Sequence, residues 1–334
     1  MESLLNNKNL ISSSVILFRN VKGINFPITM KAEEGKLFSE KIIEKILEIK
    51  DDMKVFRLWN DEIKFEKLKE TRVLRNKTLK NKEIVAYLES EKNNFKIILN
   101  EEEHIRLQCT QSGYNIEEIY NYVKEFDIDL ERKIDYLFDE TMGYLTSNPN
   151  HIGTGLILEV MVHLPMLTLN DKISKLFSHK DKSMFELEGK YGEKGKAYGS
   201  IYIIRNTATT GISEKELIEE LNELILYVLN EEKKEREKAF EKYKNEISDK
   251  IHRAYGVLKE AIILESIETL ELLSYVRFGA EEGILDISID EIEKAVLFSR
   301  NPFVKEALQG ENNLEKLNLK RADIIRDILK QKVY

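Results

Sequence analysis

Apolar residues return every three to four positions through long stretches of the chain, and only four prolines interrupt 334 residues, so the pattern predicts more helix than strand. The sharpest start follows Ile212. Ser213 with Glu216 three positions on makes a capping box, and Ile212 is placed to staple against Leu217. Leu217, Ile218, Leu221, Leu224, Ile225, Val228 and Leu229 then mark one buried face. Ile287-Ser288-x-x-Glu291-Ile292 repeats the start signal. From Asn115 to Leu137, apolar residues at 116, 119, 120, 123, 126, 130, 134 and 137 predict an amphipathic helix with a bend near Asp127 to Asp129. Alternation of period two is rarer. Phe95 to Leu99 and Ile105-x-Leu107-x-Cys109 predict neighbouring strands around Glu101 to Glu103, and Tyr198 to Ile204 predicts another.

Between Glu231 and Asn245 nearly every residue is charged, with Ala239, Phe240 and Tyr243 as the apolar exceptions. The segment reads as a solvated helical connector with opposite charges three apart, such as Glu235 with Lys238 and Glu241 with Lys244. It divides the chain into an expected first domain, 1–235, and a second, 246–334, where strand patterns are lacking and a small all-helical domain is expected. Length agrees, because 334 residues exceed one typical core and 42% hydrophobic residues can fill two.

With 52 basic and 60 acidic residues the chain carries a net charge of -8, which argues against nucleic acid or an anionic membrane as a partner. The single cysteine, Cys109, cannot form an internal disulfide and reads as a small core residue of a strand. No apolar run approaches the roughly 18 residues of a bilayer span, and the start Met1-Glu-Ser-Leu-Leu-Asn-Asn-Lys8 lacks the pattern of a secretory signal. A soluble, cytoplasmic protein is expected. The five histidines show no tight metal-ligand spacing, so no metal site is expected from the protein's own side chains. Gly192-Glu-Lys-Gly195-Lys196-Ala197 resembles a phosphate loop only superficially, with Lys190 where the first glycine should stand and Ala197 in place of Ser or Thr.

Candidate chemistry concentrates at Glu101, Glu102 and Glu103, three like charges between two short apolar strands. Strand alternation would turn Glu101 and Glu103 to one side and Glu102 to the other. A guanidinium, with a pKa above about 12, becomes nucleophilic only beside a carboxylate that orients it and accepts its proton. The plainer alternative is an acidic hairpin tip in water.

The flanking residues favour the first possibility. Asn100-Glu101-Glu102-Glu103-His104-Ile105-Arg106 resembles the Asn-Glu-Glu-Asp-His-x-Arg motif of phosphagen kinases and bacterial protein arginine kinases, the ATP:guanido phosphotransferases. Asp139-Glu140-x-x-Gly143-Tyr144-Leu145-Thr146-Ser147, Gly153-Thr154-Gly155-Leu156, Val160-Met161-x-His163-Leu164-Pro165 and Gly189-x-Tyr191-Gly192-Glu193 are similar to the protein arginine kinase subgroup in particular. So are Arg253-x-Tyr255-Gly256-x-Leu258 and Val276-Arg277-x-Gly279. The resemblance implies an α+β fold: a guanido-kinase-like catalytic domain with an antiparallel sheet flanked by helices, then a helical domain like the one that binds phosphoarginine. It implies Glu102, with Glu101, as the catalytic carboxylates. It places the nucleotide at Arg106, Val160, Met161, Gly189, Tyr191, Gly192 and Glu193, with ATP and Mg2+ as cofactors of an active enzyme.

Departures from the family pattern fall on the nucleotide side. Where relatives read Ser-Ser-Arg-x-Arg-x-x-Arg-Asn, this chain reads Ser12-Ser13-Ser14-Val15-Ile16-Leu17-Phe18-Arg19-Asn20, so Ser14 and Ile16 replace two phosphate-binding arginines. Ile157 and Glu188 stand where two more are expected, and Asn148 where the family has a reactive cysteine. Of five nucleotide-gripping arginines, the resemblance leaves Arg106. Loss of one preorganised donor costs roughly 100- to 1,000-fold in rate, so several losses would erase most of an enzyme's advantage. Lys190, Lys194, Lys196 and Arg205 are the nearby cations that could compensate. The phosphoarginine pocket is similarly eroded: Arg-Asp-x-x-Arg-Ala aligns with Leu317-Asn318-Leu319-Lys320-Arg321-Ala322, which leaves Arg321.

Three readings follow. The first is a protein arginine kinase homologue, catalytically silent or weakened, that acts by binding proteins in the heat-shock and Clp proteolysis system and needs no cofactor. The second is an active kinase transferring the ATP γ-phosphate to arginine side chains. The third is a nucleotide or phosphoarginine sensor without turnover. The resemblance implies as partners a zinc-finger activator, a heat-shock repressor, the Clp ATPase or an active arginine kinase, and a homodimer as the assembly.

Overall fold

The computed structural model describes residues 4, 7–71, 73–75, 82–90, 92–176, 184–191 and 197–330. Its elements begin with strand β1 (Leu10–Arg19), helix α1 (Ala32–Ile49), β2 (Lys54–Arg57), α2 (Glu62–Glu70), β3 (Ala86–Ser90), β4 (Phe95–Leu99), β5 (Ile105–Ser112) and α3 (Ile116–Glu131). Two short strands, β6 (Phe138–Asp139) and β7 (Gly143–Tyr144), precede β8 (Leu156–His163), α4 (Pro165–Leu169), α5 (Ile173–Leu176), β9 (Phe185–Gly189) and β10 (Ile201–Asn206). Helices α6 (Glu214–Glu260), α7 (Ser266–Glu281), α8 (Ile289–Phe298), α9 (Asn301–Ala307) and α10 (Leu314–Lys330) follow. The class is α+β, as the sequence implied. Among the described residues the main sheet runs β2-β3-β4-β5-β1-β8-β10-β9, and the pairs from β2 to β1 are antiparallel.

The chain forms two compact units. The first comprises Met1–Val160, Lys182–Glu186 and Ile204–Leu224; the second comprises Met161–Asp181, Leu187–Ile203 and Ile225–Tyr334.

In the first unit β1 alternates Ser14, Ile16 and Phe18 against Val15, Leu17 and Arg19, and all six are buried. Helix α3 packs on β1 and β5 through Ile119, Val123, Phe126 and Leu130. Arg19 is fully buried and pairs in a two-pronged fashion with Asp127 of α3, Nε to Oδ1 at 3.1 Å and Nη2 to Oδ2 at 2.7 Å. Its Nη1 donates to the carbonyls of Phe18 and Thr154, and the guanidinium lies 3.6 Å from the centre of the Tyr144 ring. This pair corrects the expected bend near Asp127. The helix runs unbroken to Glu131, and the mid-helix acid is there to match Arg19. Gly155 belongs to the same knot: with φ +64°, an added Cβ would meet Phe18 O at 2.7 Å and Arg19 Nη1 at 2.8 Å.

The two capping boxes are present, Ser213 with Glu216 and Ser288 with Glu291. The strand expected from Tyr198 begins only at Ile201. Gly199 has φ +72° and its α-carbon faces the Leu270 carbonyl, which curls Tyr198–Ser200 into a 3-10 turn.

In the second unit helices α6, α7, α8 and α10 bury Ile251, Leu258, Leu273, Val276, Phe278, Ile292 and Ile325 together. The charged 231–245 stretch is helical, interrupted by non-helical angles at Tyr243, and Glu235 pairs with Lys238. It is not wholly solvated, because Glu232, Glu235 and Arg236 are buried. Arg236 binds Glu232 at 2.8 Å, Glu281 at 2.7 Å and Glu282 at 2.7 Å. Arg277 binds Glu281 at 2.9 Å and Glu293 at 3.2 Å. His163 Nδ1 lies 3.0 Å from Glu281 and its Nε2 2.9 Å from Ser274 Oγ. Glu232 also accepts the amides of Met166 and Leu167, the first turn of α4. Charges in that stretch are therefore core elements, placed by partners far away in sequence.

Burial alone would raise the Glu281 carboxyl, but His163, Arg236 and Arg277 hold it down at about 2. Burial pushes the His163 imidazole below its ordinary value. Both shifts act in one direction. The unfolded chain takes up these protons first, so stability should decline as pH falls below about 6.5 through His163, and further from about 4.3 towards 2 through Glu281. Glu281→Gln is expected to cost about 3–5 kcal/mol in urea denaturation, as removing one partner of a buried ion pair does. His163→Gln should flatten the slope just below about pH 6.5. An unchanged slope would contradict the assignment.

Candidate active site

Asn100 ends β4 in a left-handed conformation, φ 57°, and its side-chain amide donates to Gly35 O, Ser39 Oγ and Ile84 O. Its own amide donates to His104 O, closing a turn over 100–104. The three glutamates therefore lie in a turn, and strand alternation does not orient them. Glu101 is buried, binds Arg106 Nη1 at 2.7 Å and accepts the Arg75 amide at 2.5 Å. Glu103 is buried in the other direction, where it accepts from Asn20 Nδ2 (2.7 Å), Ser147 N (2.8 Å), Ser147 Oγ (2.9 Å) and Asn148 N (3.0 Å). His104 is structural as well. Its Nδ1 accepts the Val21 amide, so the remaining proton is on Nε2, donated to Asn25 O.

Glu102 is left to face a cavity of about 280 Å³ lined by Phe18, Arg75, Glu102, Arg106, Asn148, Asn150, His151, Ile157, Glu186, Arg205, Asn206 and Thr207. Asn148 Nδ2 donates to Glu102 Oε1 at 3.2 Å. Burial pushes the Glu102 carboxyl above its ordinary value and the Glu103 charge adds to this, while His151 and Asn148 oppose. Glu103 moves the opposite way: burial is outweighed by His151 and by the donors of Ser147, Asn20 and Asn148. His151 stacks on Phe18, centroids 4.1 Å apart and planes 5° from parallel, with Nδ1 3.9 Å from Glu103.

The cavity's three guanidiniums are each matched by a carboxylate of the chain. Arg75 binds Glu159 through two bonds of 2.8 and 2.7 Å. Arg106 is 2% exposed, pairs with Glu101 and donates to Val73 O. Arg205 binds Glu186 at 2.5 Å and lies 3.9 Å from Glu159. Asn206 fixes the end of β10 beside β8 by accepting the Leu158 amide and donating to Leu156 O, which sets Arg205 at the cavity wall. Two of the positions where the resemblance led one to expect arginine have become an apolar cluster, Ile16 and Ile157 with Phe18 between them. Ser14 bonds Thr110 on the neighbouring strand at 2.8 Å.

Of the other residues expected at the site, Val160 is core, Met161 is half-buried, and Gly189 and Tyr191 belong to the second unit, where Arg300 lies over the Tyr191 ring at 4.2 Å. Glu188 is exposed on β9, and Lys190 is not among the described residues lining the cavity. Gly192, Glu193, Lys194 and Lys196 lie outside the described residues. Arg321, 1% exposed, spends its nitrogens on Ser299 O, Leu264 O, Asn318 Oδ1 and Asn301 Oδ1, and so ties α10 to the segments around it.

Arg75, Glu159, Glu186 and His151 were not singled out from sequence. Only Glu159 carried a signal, as a charge inside the apolar run Leu156-Ile157-Leu158-Glu159-Val160. Among the described residues no three His, Cys, Asp or Glu side chains are grouped to hold a metal ion, and no helix is long and apolar enough to cross a membrane.

Residues 36–235 match the family model for the ATP:guanido phosphotransferase C-terminal catalytic domain. Lombricine kinase shares the fold at a TM-score of 0.59, with 19% identity over 70% of this chain and 68% of that one. The duplicated taurocyamine kinase of Schistosoma mansoni gives 0.58 over 77% of this chain and 40% of its own. The fold is thus that of the guanido phosphotransferases. Residues 244–333 match the protein-arginine kinase McsB C-terminal domain. The protein-arginine kinase of Clostridium tetani is 36% identical over 99% of this chain and 98% of its own length, and that of Clostridium kluyveri 37% over 96% and 94%. The chain belongs to the protein-arginine kinase family.

The turn assigns different work to adjacent glutamates, and stability separates them. Glu101→Gln should cost about 3–5 kcal/mol because it strands Arg106 in the interior. Glu102→Gln should not lower the melting temperature at pH 7. A carboxyl whose folded pKa is raised weakens the fold once pH exceeds the unfolded value, so neutralising it relieves that cost. Equal losses in the two variants would show that Glu102 is structural too.

Proposed function

We propose that this protein is a protein-arginine kinase relative, catalytically silent or much weakened, that works by binding other proteins. One observation carries the reading: Arg75, Arg106 and Arg205 are all engaged by carboxylates of the chain, while Glu102 alone of its triplet faces the open cavity. ATP and Mg2+ fit these residues poorly. A polyphosphate needs cations free to take its oxygens, and here each guanidinium is already neutralised while Phe18 and Ile157 line the cavity with apolar surface. The acceptor side is better preserved. Glu102 and Asn148 present an acceptor and a short polar wall to a guanidinium, and a cation arriving there would draw the raised Glu102 carboxyl back to its charged form.

The ligand this favours is an arginine side chain of a client protein, held without phosphorylation. On family resemblance the setting is the cytoplasmic heat-shock and Clp proteolysis system, with a zinc-finger activator, a heat-shock repressor, the Clp ATPase or an active arginine kinase as partners and a homodimer as the working form. A second reading, an active kinase, is favoured by the convergence of three arginines on the cavity that holds Glu102.

Binding of an unstructured arginine-rich peptide should strengthen as pH rises through the Glu102 titration. It should weaken about 10- to 100-fold in Glu102→Gln, the loss of a charge-assisted hydrogen bond. Incubation of the same peptide with Mg-ATP should leave arginine unmodified. Robust arginine phosphorylation that disappears in Glu102→Gln would establish the second reading instead.

A further inference from the structure

Strand β8 is apolar from Leu156 to Val162 except at Glu159, and a charge in that position has to be matched. The match comes from outside the strand. Arg75 directs Nη1 to Oε1 at 2.8 Å and Nη2 to Oε2 at 2.7 Å, and Arg205 Nη1 stands 3.9 Å from Oε1. The Glu159 side chain is 9% exposed, whereas Glu186, the other partner of Arg205, is 45% exposed and solvent-screened. Two parallel N–H···O bonds into a planar pair of oxygens, with a second cation on the flank, is the arrangement guanidiniums offer to the oxyanion of a ligand. Here the oxyanion is part of the chain.

We infer that Glu159 is a resident anion that sets the sign of charge the cavity accepts. It holds Arg75 and Arg205 at the wall and keeps a ligand's oxyanion away from them, so the cavity admits cations; with Glu159 neutralised, the freed guanidiniums form a polyphosphate site. The inference deepens the functional reading and rests on it, since it names the residue that turns the cavity away from anions. Glu159 is thus a specificity-determining residue, distinct from Glu102, which would touch the ligand itself.

The test is calorimetric titration with inorganic tripolyphosphate at low ionic strength, on wild type, Glu159→Gln, Glu186→Gln and the double variant Arg75→Gln/Glu159→Gln. Glu159→Gln should bind about tenfold more tightly than wild type or better, as expected for a bidentate guanidinium released to a ligand. Glu186→Gln should stay within about threefold of wild type, because that pair is exposed and Arg205 remains near Glu159. The double variant should return to the wild-type level. A folded Glu159→Gln that binds no better than wild type overturns the inference, as does a larger gain in Glu186→Gln or a gain that survives loss of Arg75. Should Glu159→Gln melt too low to titrate, its melting temperature must rise more with tripolyphosphate than that of wild type; no rise, or an equal one, overturns it as well. A wild type that already binds tripolyphosphate tightly defeats the functional reading, whereas a silent wild type beside a silent, folded variant defeats this inference alone.

Discussion

Pairing of a buried guanidinium with a carboxylate is the interaction that organises the first unit. Arg19 with Asp127 joins β1 to α3 and, through Thr154, to the segment that leads into β8. Arg106 with Glu101 anchors the turn from which Glu102 emerges. Arg75 with Glu159 closes the cavity wall. Arg19 with Asp127 and Arg75 with Glu159 bring together distant parts of the chain, and removing the partner of a buried charge leaves it uncompensated inside the fold. The second unit uses the same pairing where Glu281 binds His163, Arg236 and Arg277, whereas buried Arg321 is held by neutral oxygens.

The functional consequence follows from competition. A cation that serves the fold is less available to a ligand, since a ligand's oxyanion must displace a carboxylate already in place and tethered at no entropic cost of association. On the proposed function Glu102, shaped by the turn and by Asn148, is the carboxylate that receives the arginine. On the same proposal the change falls on the nucleotide side, where Ile157 lines the cavity and the acids Glu159 and Glu186 pair with Arg75 and Arg205. The cavity keeps its negative half and has its positive half bound up.

Much of the local structure was legible in the sequence because local rules decide it. The capping boxes at Ser213 and Ser288, the strands at 95–99 and 105–109 and the core position of Cys109 depend on neighbours a few residues away. Long-range pairing was not legible. Asp127 suggested a bend because its partner Arg19 lies 108 residues distant, and the charged 231–245 stretch looked solvated because Glu281 lies 45 residues from Arg236 and the Met166 amide 66 from Glu232. The same holds at the site. Family motifs pointed to Glu102, Asn148, Ile16 and Ile157, but Arg75 meets Glu159 across 84 residues, and no motif or period announces that contact. Sequence therefore revealed the missing arginines, and Arg205 as a nearby cation, more readily than Arg75 or the carboxylates that pair with both.

The account's central claim is that this cavity does not hold a nucleotide polyphosphate, and equilibrium binding of Mg-ATP to the intact wild-type chain tests it most directly. Isothermal titration at near-physiological ionic strength should give no saturable heat, or a Kd weaker than about 1 mM. A Kd of about 1–10 μM would contradict it.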